Sequence, residues 1–270
     1  MYNTFYVIDA HCHIYPDGIA AKAANATGKF YGGIPACSGT TSELLHCFKE
    51  SGIDRAIVQS VATTPHQVKS INEFISKEVA LYPDKFIGFG TLHPESSDIE
   101  GDISHLKELG LKGIKLHPDI QGFKIDDYRC LKIYDLCEKE NIPILMHTGD
   151  KRFDFSNPNR LIPILNIYSK LNFIGAHFGG YTMWEQASIE ICSSPLPDNF
   201  YVDCSSSLSF LTPKKAKEII MRYGADRVLF GTDYPMNNPE RELKLFFNID
   251  LNKTEQEMIL SKNAKRILGI

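Results

Sequence analysis

At 270 residues the chain exceeds a minimal domain and sits close to the roughly 250 residues of a (β/α)8 barrel. Its 43% hydrophobic and 23% charged content is that of an ordinary globular protein, which excludes a disordered or fibrous chain. A net charge of -4 without any basic block leaves nothing to neutralise a phosphate backbone, so no nucleic-acid partner is expected.

The N-terminus, Met1-Tyr2-Asn3-Thr4-Phe5, lacks the basic region, apolar stretch and cleavage site of a secretory leader. No apolar run approaches the ~18 residues of a membrane span. From there a short apolar run followed by a helical stretch repeats along the chain. The first strand is expected at residues 5–9. It is followed by residues 14–39, long for a βα connection, with Tyr15, Phe30 and Tyr31 among glycines; this segment reads as a mouth loop or lid with a short helix near residues 20–26. Thr40 to Glu43 has the form of a capping box opening a helix over residues 43–50 that Gly52 ends. Strands then follow at Arg55–Gln59, Phe86–Thr91, Gly113–Leu116, 143–146, 172–176, Phe200–Asp203 and 228–230. Helices fall between them at Val68–Leu81, 103–109, 127–140, 161–169, Trp184–Ile191, Pro213–Tyr223 and 241–246. A second capping box, Thr254 to Glu257, opens a final helix that Gly269 stops. Eight such units favour closure into a TIM barrel over an open doubly wound sheet, and no linker divides residues 1–270, so one domain is expected. The seven cysteines, scattered and without a Cys-x-x-Cys pair, read as reduced, mostly buried thiols of a cytoplasmic protein.

Barrel active sites are assembled at strand C-termini, and there this sequence concentrates its histidines. Strand one runs into Asp9-Ala10-His11-Cys12-His13, strand four into Lys115-Leu116-His117-Pro118 and strand five into His147-Thr148-Gly149-Asp150. Strand six runs into His177-Phe178-Gly179-Gly180 and strand eight into Gly231-Thr232-Asp233. In extended backbone His11 and His13 point to one side and Cys12 to the other. Two imidazoles so placed form one arm of a metal site, which a third imidazole and a carboxylate would complete. Lys115 and His117 share a side of strand four and suit an anionic substrate group. Asp150 and Arg152, in the polar loop after strand five, are further candidates for substrate binding, with a solvated salt bridge as the simpler alternative.

The ordered set His11-x-His13, His147, His177 and Asp233 resembles the amidohydrolase superfamily, in particular its amidohydrolase-related (amidohydrolase 2) branch of hydrolases and decarboxylases. The resemblance spans nearly the whole chain, from Ile8 to the tail Asn263-Ala264-Lys265-Arg266-Ile267-Leu268-Gly269. It implies one divalent ion, zinc first with manganese or another divalent ion as alternatives, held by His11, His13, His147 and Asp233. It also implies that His177 lies beside the ion as an acid/base or electrophilic partner and that Asp233 handles the proton. Lys115 stands where binuclear members carry a carbamylated lysine, but Lys-x-His-Pro also occurs in mononuclear members, where the lysine grips a carboxylate.

The leading functional expectation is a hydrolase whose metal-activated water cleaves a C–N or C–O bond of a small carbonyl substrate. The alternative is a zinc-dependent non-oxidative decarboxylase of a small unsaturated or aromatic carboxylate. A catalytically silent metal-stabilised scaffold and a phosphodiesterase on the same barrel are further readings. A small, anionic substrate and a homodimer complete the expectations.

Overall fold

The computed structural model describes residues 5–270; the reading of the N-terminus over Met1 to Thr4 lies outside the described residues. Eight strands form one parallel sheet in the order of the chain: β1 Ile8–His13, β2 Arg55–Gln59, β3 Phe86–Thr91, β4 Gly113–Leu116, β5 Ile144–Met146, β6 Phe173–Gly175, β7 Phe200–Asp203 and β8 Val228–Leu229. β8 is only two residues long, and the chain just beyond it closes the barrel. Ala10 N–H donates to the Phe230 carbonyl at 2.8 Å, Asp233 N–H to His11 at 2.8 Å, and His13 N–H to Tyr234 at 2.6 Å. The (β/α)8 expectation is met.

The helices are α1 Asp17–Tyr31, α2 Thr41–Ser51, α3 Val68–Leu81, α4 Ile99–Glu108, α5 Pro118–Gln121, α6 Tyr128–Lys139, α7 Leu161–Ile167, α8 Trp184–Ile191, α9 Pro213–Tyr223, α10 Pro239–Phe247, α11 Lys253–Glu257 and α12 Asn263–Leu268. Where boundaries depart from expectation, a local interaction explains it. α4 starts at Ile99 because Asp98 accepts from Gly101 N–H at 2.9 Å. Thr40 caps α2 as expected, but Glu43 turns to Ser38 instead of back to Thr40. The C-terminal box is Asn252 with Glu255, two residues earlier than expected, each side chain accepting the other's N–H.

The apolar residues divide into two layers. Ile8, Ala10, Ile57, Phe89, Leu145, Ile174, Tyr201 and Leu229 fill the barrel interior, and Ala264 and Ile267 of α12 join them where β8 begins. The larger cluster lies between sheet and helices. The cysteines are all free thiols and, Cys192 apart, buried. No helix among the described residues is long and apolar enough to cross a membrane.

The long β1–α2 connection holds a 15-residue helix, α1, twice the length expected. It buries Ala20, Ala24 and Gly28, and Gly32 stops it in the left-handed conformation at φ 72°. Gly28 has no substitute here, since a Cβ would lie 2.7 Å from the Gly33 carbonyl and 2.9 Å from Pro35. The helix leaves β1 just after His13 and ends with Tyr31 against His117 and His147, and so crosses the barrel mouth.

Candidate active site

β1 delivers two imidazoles to the mouth because it carries a bulge. Its register with β2 runs Asp9↔Ala56 and then Cys12↔Val58, so β1 spends three residues where β2 spends two. Ile8 and Ala10 already point into the barrel, and unbroken alternation would have put Cys12 there next. The extra residue resets the parity: Cys12 joins the outer layer, and His11 and His13 line the cavity. Asp9 fastens the bulge, accepting from Thr232 N–H at 3.0 Å and Thr232 Oγ1 at 2.6 Å, which ties β1 to the closing segment.

His177 and Asp233 sit just past strands that end early, and both adopt left-handed backbone, φ 58° and 65°. Such conformations in residues other than glycine are uncommon and mark places where the surroundings hold the chain. Here they return both side chains to the mouth. His11 Nε2 lies 3.1 Å from His13 Nε2; Asp233 Oδ1 lies 3.4 Å from the former and 3.8 Å from the latter. Around a tetrahedral ion with bonds of about 2.1 Å, ligand atoms stand roughly 3.4 Å apart. Burial drives the pKa of both imidazoles well below its ordinary value, which leaves the neutral form that ligates metals. The three residues thus have the spacing and chemistry to hold a divalent cation.

Sequence reasoning missed what holds them. Asp203, at the end of β7 and fully buried, accepts from His11 Nδ1 at 2.8 Å, which leaves the Nε2 lone pair facing His13 and Asp233. Its other oxygen accepts from His177 N–H at 3.0 Å and Ser205 Oγ at 2.5 Å. The Ser205 carbonyl accepts from His177 Nδ1 at 2.9 Å. Ser206 Oγ donates to Asp233 Oδ2 at 2.6 Å, fixing the carboxylate with Oδ1 toward the imidazoles. Asp203-Cys204-Ser205-Ser206 is a polar strand end like the other five, and it carries no histidine to draw the eye.

The opposite side of the mouth is built differently. His147 pairs Nδ1 with His177 Nε2 at 3.0 Å, and around its Nε2 stand the Gly149 carbonyl at 3.0 Å, the Tyr31 hydroxyl at 3.3 Å and Asp119 at 3.4 Å. It therefore falls in a group with His117 and Asp119, apart from the group of His11, His13 and Asp233. His117 stacks on it with ring centroids 4.0 Å apart, and the Tyr31 hydroxyl meets His117 Nε2 at 2.6 Å. Asp119, a second buried carboxylate absent from the sequence reading, is held by Ser156 Oγ at 2.6 Å.

Lys115 is fully buried, its ammonium donating to His11 Nε2 at 3.2 Å. Burial lowers its pKa to about 8 against the opposing pull of Asp203 and Asp233. Burial likewise pushes Asp233 up to about 7 in the cation-free protein. Asp150 and Arg152 do not line the cavity. They form a two-pronged ion pair, 2.7 Å at its shortest, and Arg152 reaches the Phe30 carbonyl at 2.6 Å with its guanidinium over the rings of Phe30 and Tyr31. The pair clasps the end of α1.

Beneath α1 lies a cavity of about 470 Å³, walled by the histidines, Lys115 and Asp233 at its centre and by apolar side chains of α1 and α3 farther out. The fold and this cluster together define a barrel enzyme with its polar groups at the strand C-termini. The family model described as Amidohydrolase, of the amidohydrolase-2 branch, matches residues 8–270, and the chain belongs to that family. It is 26% identical over 244 residues to the 2-amino-3-carboxymuconate-6-semialdehyde decarboxylase of Dictyostelium discoideum, covering 74% of this chain and 66% of that one. It is 22% identical over 268 residues to the gamma-resorcylate decarboxylase of Polaromonas sp. strain JS666, covering 79% and 80%. The dihydroxybenzoic acid decarboxylase of Polaromonas sp. JS666, solved with bound manganese and the inhibitor 2-nitroresorcinol, superposes with a TM-score of 0.74 at 17% identity over 98% of this chain and 97% of that one. That last likeness carries the fold alone.

These names overturn the expectation of a hydrolase cleaving C–N or C–O bonds. The physical reason it misled is that a cation site beside an acid/base pair serves water attack and carbon protonation equally. The motif is common to both reactions. None of these likenesses singles out zinc, the first choice from sequence, and the solved one holds manganese.

Proposed function

We propose that the chain is a metal-dependent, non-oxidative decarboxylase of a small unsaturated or aromatic carboxylate, folded as one domain with residues 14–39 as the roof of its site. The observation that carries the reading is Lys115: the single buried ammonium lining the cavity, beside His11, with imidazoles and Asp233 around it and mostly apolar groups farther out. It suits a substrate carboxylate.

His11, His13 and Asp233 would hold one divalent cation, manganese or zinc; His147, also expected as a ligand, stands in the neighbouring group with His117 and Asp119 and would have to turn to join them. The bound cation would supply positive charge that polarises a substrate oxygen. Lys115, helped by His117, takes the substrate carboxylate and turns it out of the plane of the unsaturated system. The apolar side chains of α1 and α3 lower the polarity around the carboxylate, so the departing group is favoured as neutral CO2 over a poorly solvated anion. The bond between the ring carbon and the carboxyl carbon breaks, and its electron pair stays on the ring carbon. That carbon takes a proton that Asp233 has first accepted from a substrate hydroxyl, which regains one from solvent after release, with His177 as the neighbouring acid/base group held by Ser205.

The test is to incubate the manganese-loaded chain with 2,6-dihydroxybenzoate and related hydroxybenzoates in D2O. Release of CO2 with one deuterium at the former carboxyl position supports the reading. Turnover of lactones or amides with no CO2 from any acid in the panel overturns it.

A further inference from the structure

The cavity is larger than the substrates named for the relatives require, and its surplus has a definite chemistry. A cavity of roughly 150 Å³ accommodates benzene. The present one, at about 470 Å³, is about three times that size. A dihydroxybenzoate adds only three small polar groups to one ring, and these would be drawn to the polar centre.

The surplus space lies between α1 and α3. Beside the stripe Ala20, Ala24 and Gly28 that packs α1 down, a second face of the helix, with Ile19, Ala23 and Phe30, looks into the cavity. Opposite it, α3 contributes Ile71 and Phe74, which are only partly buried. Thr63, Gln67 and Ser70 dot the outer rim. Among the described residues, the charged groups lining the whole cavity are Lys115 and Asp233, both at the centre. A second carboxylate on the substrate would find no cation in the outer part, and a polar chain would find few partners.

We propose, resting on the decarboxylase reading, that the substrate is a hydroxylated aromatic monocarboxylate bearing an apolar substituent, an alkyl chain of several carbons, that lies in the groove between α1 and α3. The acid and hydroxyl groups occupy the centre among Lys115 and the histidines. The alkyl chain runs outward past Ala23, Ile71 and Phe74.

The experiment compares 2,4-dihydroxybenzoate with its 6-methyl, 6-propyl and 6-pentyl homologues on the manganese-loaded full chain. Burying a methylene contributes about fourfold in affinity when burial is complete, and the groove is partly open, so kcat/KM is expected to rise about two- to fourfold per carbon. A flat or falling series overturns the proposal. Ala23→Phe narrows the groove, and the ratio of kcat/KM for the pentyl over the unsubstituted acid should then collapse toward one; an unchanged ratio means the chain lies elsewhere, which also overturns it. Binding of the matching 5-alkylresorcinols, read by calorimetry, separates this inference from the reading it rests on. If no acid is decarboxylated yet affinity climbs with chain length, the function fails and the groove stands. If acids are decarboxylated and affinity ignores chain length, the groove fails and the function stands.

Discussion

The two halves of the barrel mouth hold their histidines by different means. On the β1, β6, β7 and β8 side, His11 and His177 are tied to backbone and to Asp203, and Asp233 to Ser206, all by groups on the barrel itself. On the β4 and β5 side, His117 and His147 meet a tyrosine carried by α1, which is latched from outside by Arg152. The first half is fixed by the fold. The second is completed by a segment that arrives from across the mouth and walls the cavity on that side.

The largest effect that tests this contrast comes from the fixed half. His177→Asn is expected to keep its metal while losing roughly 10²- to 10⁴-fold in kcat, the range for a positioned acid/base group. Elemental analysis beside steady-state kinetics checks it, and a metal-free His177→Asn protein would break the assignment. Next comes Asp203→Asn, which leaves His11 in place but loosens the ring orientation it imposes. Mn2+ affinity should fall about 10- to 100-fold, as for other partners behind metal ligands. If Asp203→Asn binds Mn2+ like the wild type, the fixed half is not held as described.

A smaller effect concerns the helix behind that half. Glu242 of α10 is fully buried, neither carboxylate oxygen has a hydrogen-bond partner among the described residues, and burial pushes its pKa to about 7. Its folded value thus exceeds the ordinary value near 4.3. Stability from this group is full below that ordinary value and is lost as pH rises through about 7, where the buried side chain must ionise. Glu242→Gln should therefore raise the melting temperature by several degrees at pH 8, at about 2–4 °C per kcal/mol for a chain of this size, and leave it nearly unchanged at pH 4.5. Equal shifts at both pH values would contradict the buried-carboxylate account.

The smallest effect belongs to the latch. Arg152→Ala removes contacts from the end of α1, including those to the Phe30 and Tyr31 rings, but touches none of His11, His13 and Asp233. Hydrogen exchange over residues 28–34 should quicken and KM should rise a few-fold, with Mn2+ affinity unchanged, since cation–π contacts at exposed sites contribute only about 0.5–1 kcal/mol.

Much of the fixed half was legible in the sequence, because its histidines and Asp233 fall at strand ends and strands announce themselves as short apolar runs. Four strands, β2, β3, β4 and β7, have the bounds their apolar runs predict. β1 does not, and the reason is instructive: His11 and His13 share a side as alternation requires, but only because a bulge undoes the alternation set by Ile8 and Ala10. A bulge has no signature in residue type here. Asp203 and Asp119 were illegible for a different reason, since a carboxylate that supports a histidine from behind has no fixed distance from it in the chain. His11 and Asp203 are 192 positions apart. The long segment after β1 stands out by its length, but its 15-residue helix and the contact of Tyr31 with His117 and His147 depend on where the helix lands. Asp150 and Arg152 show the converse, a polar pair near the mouth whose charges satisfy each other.

The most direct measurement is a titration of the metal-stripped protein with Mn2+, followed by electron paramagnetic resonance, for the wild type and for His11→Ala. A single equivalent bound tightly by the wild type and lost in His11→Ala is the predicted result. Two equivalents per chain, or one equivalent undiminished in His11→Ala, would contradict a site shared by His11, His13 and Asp233.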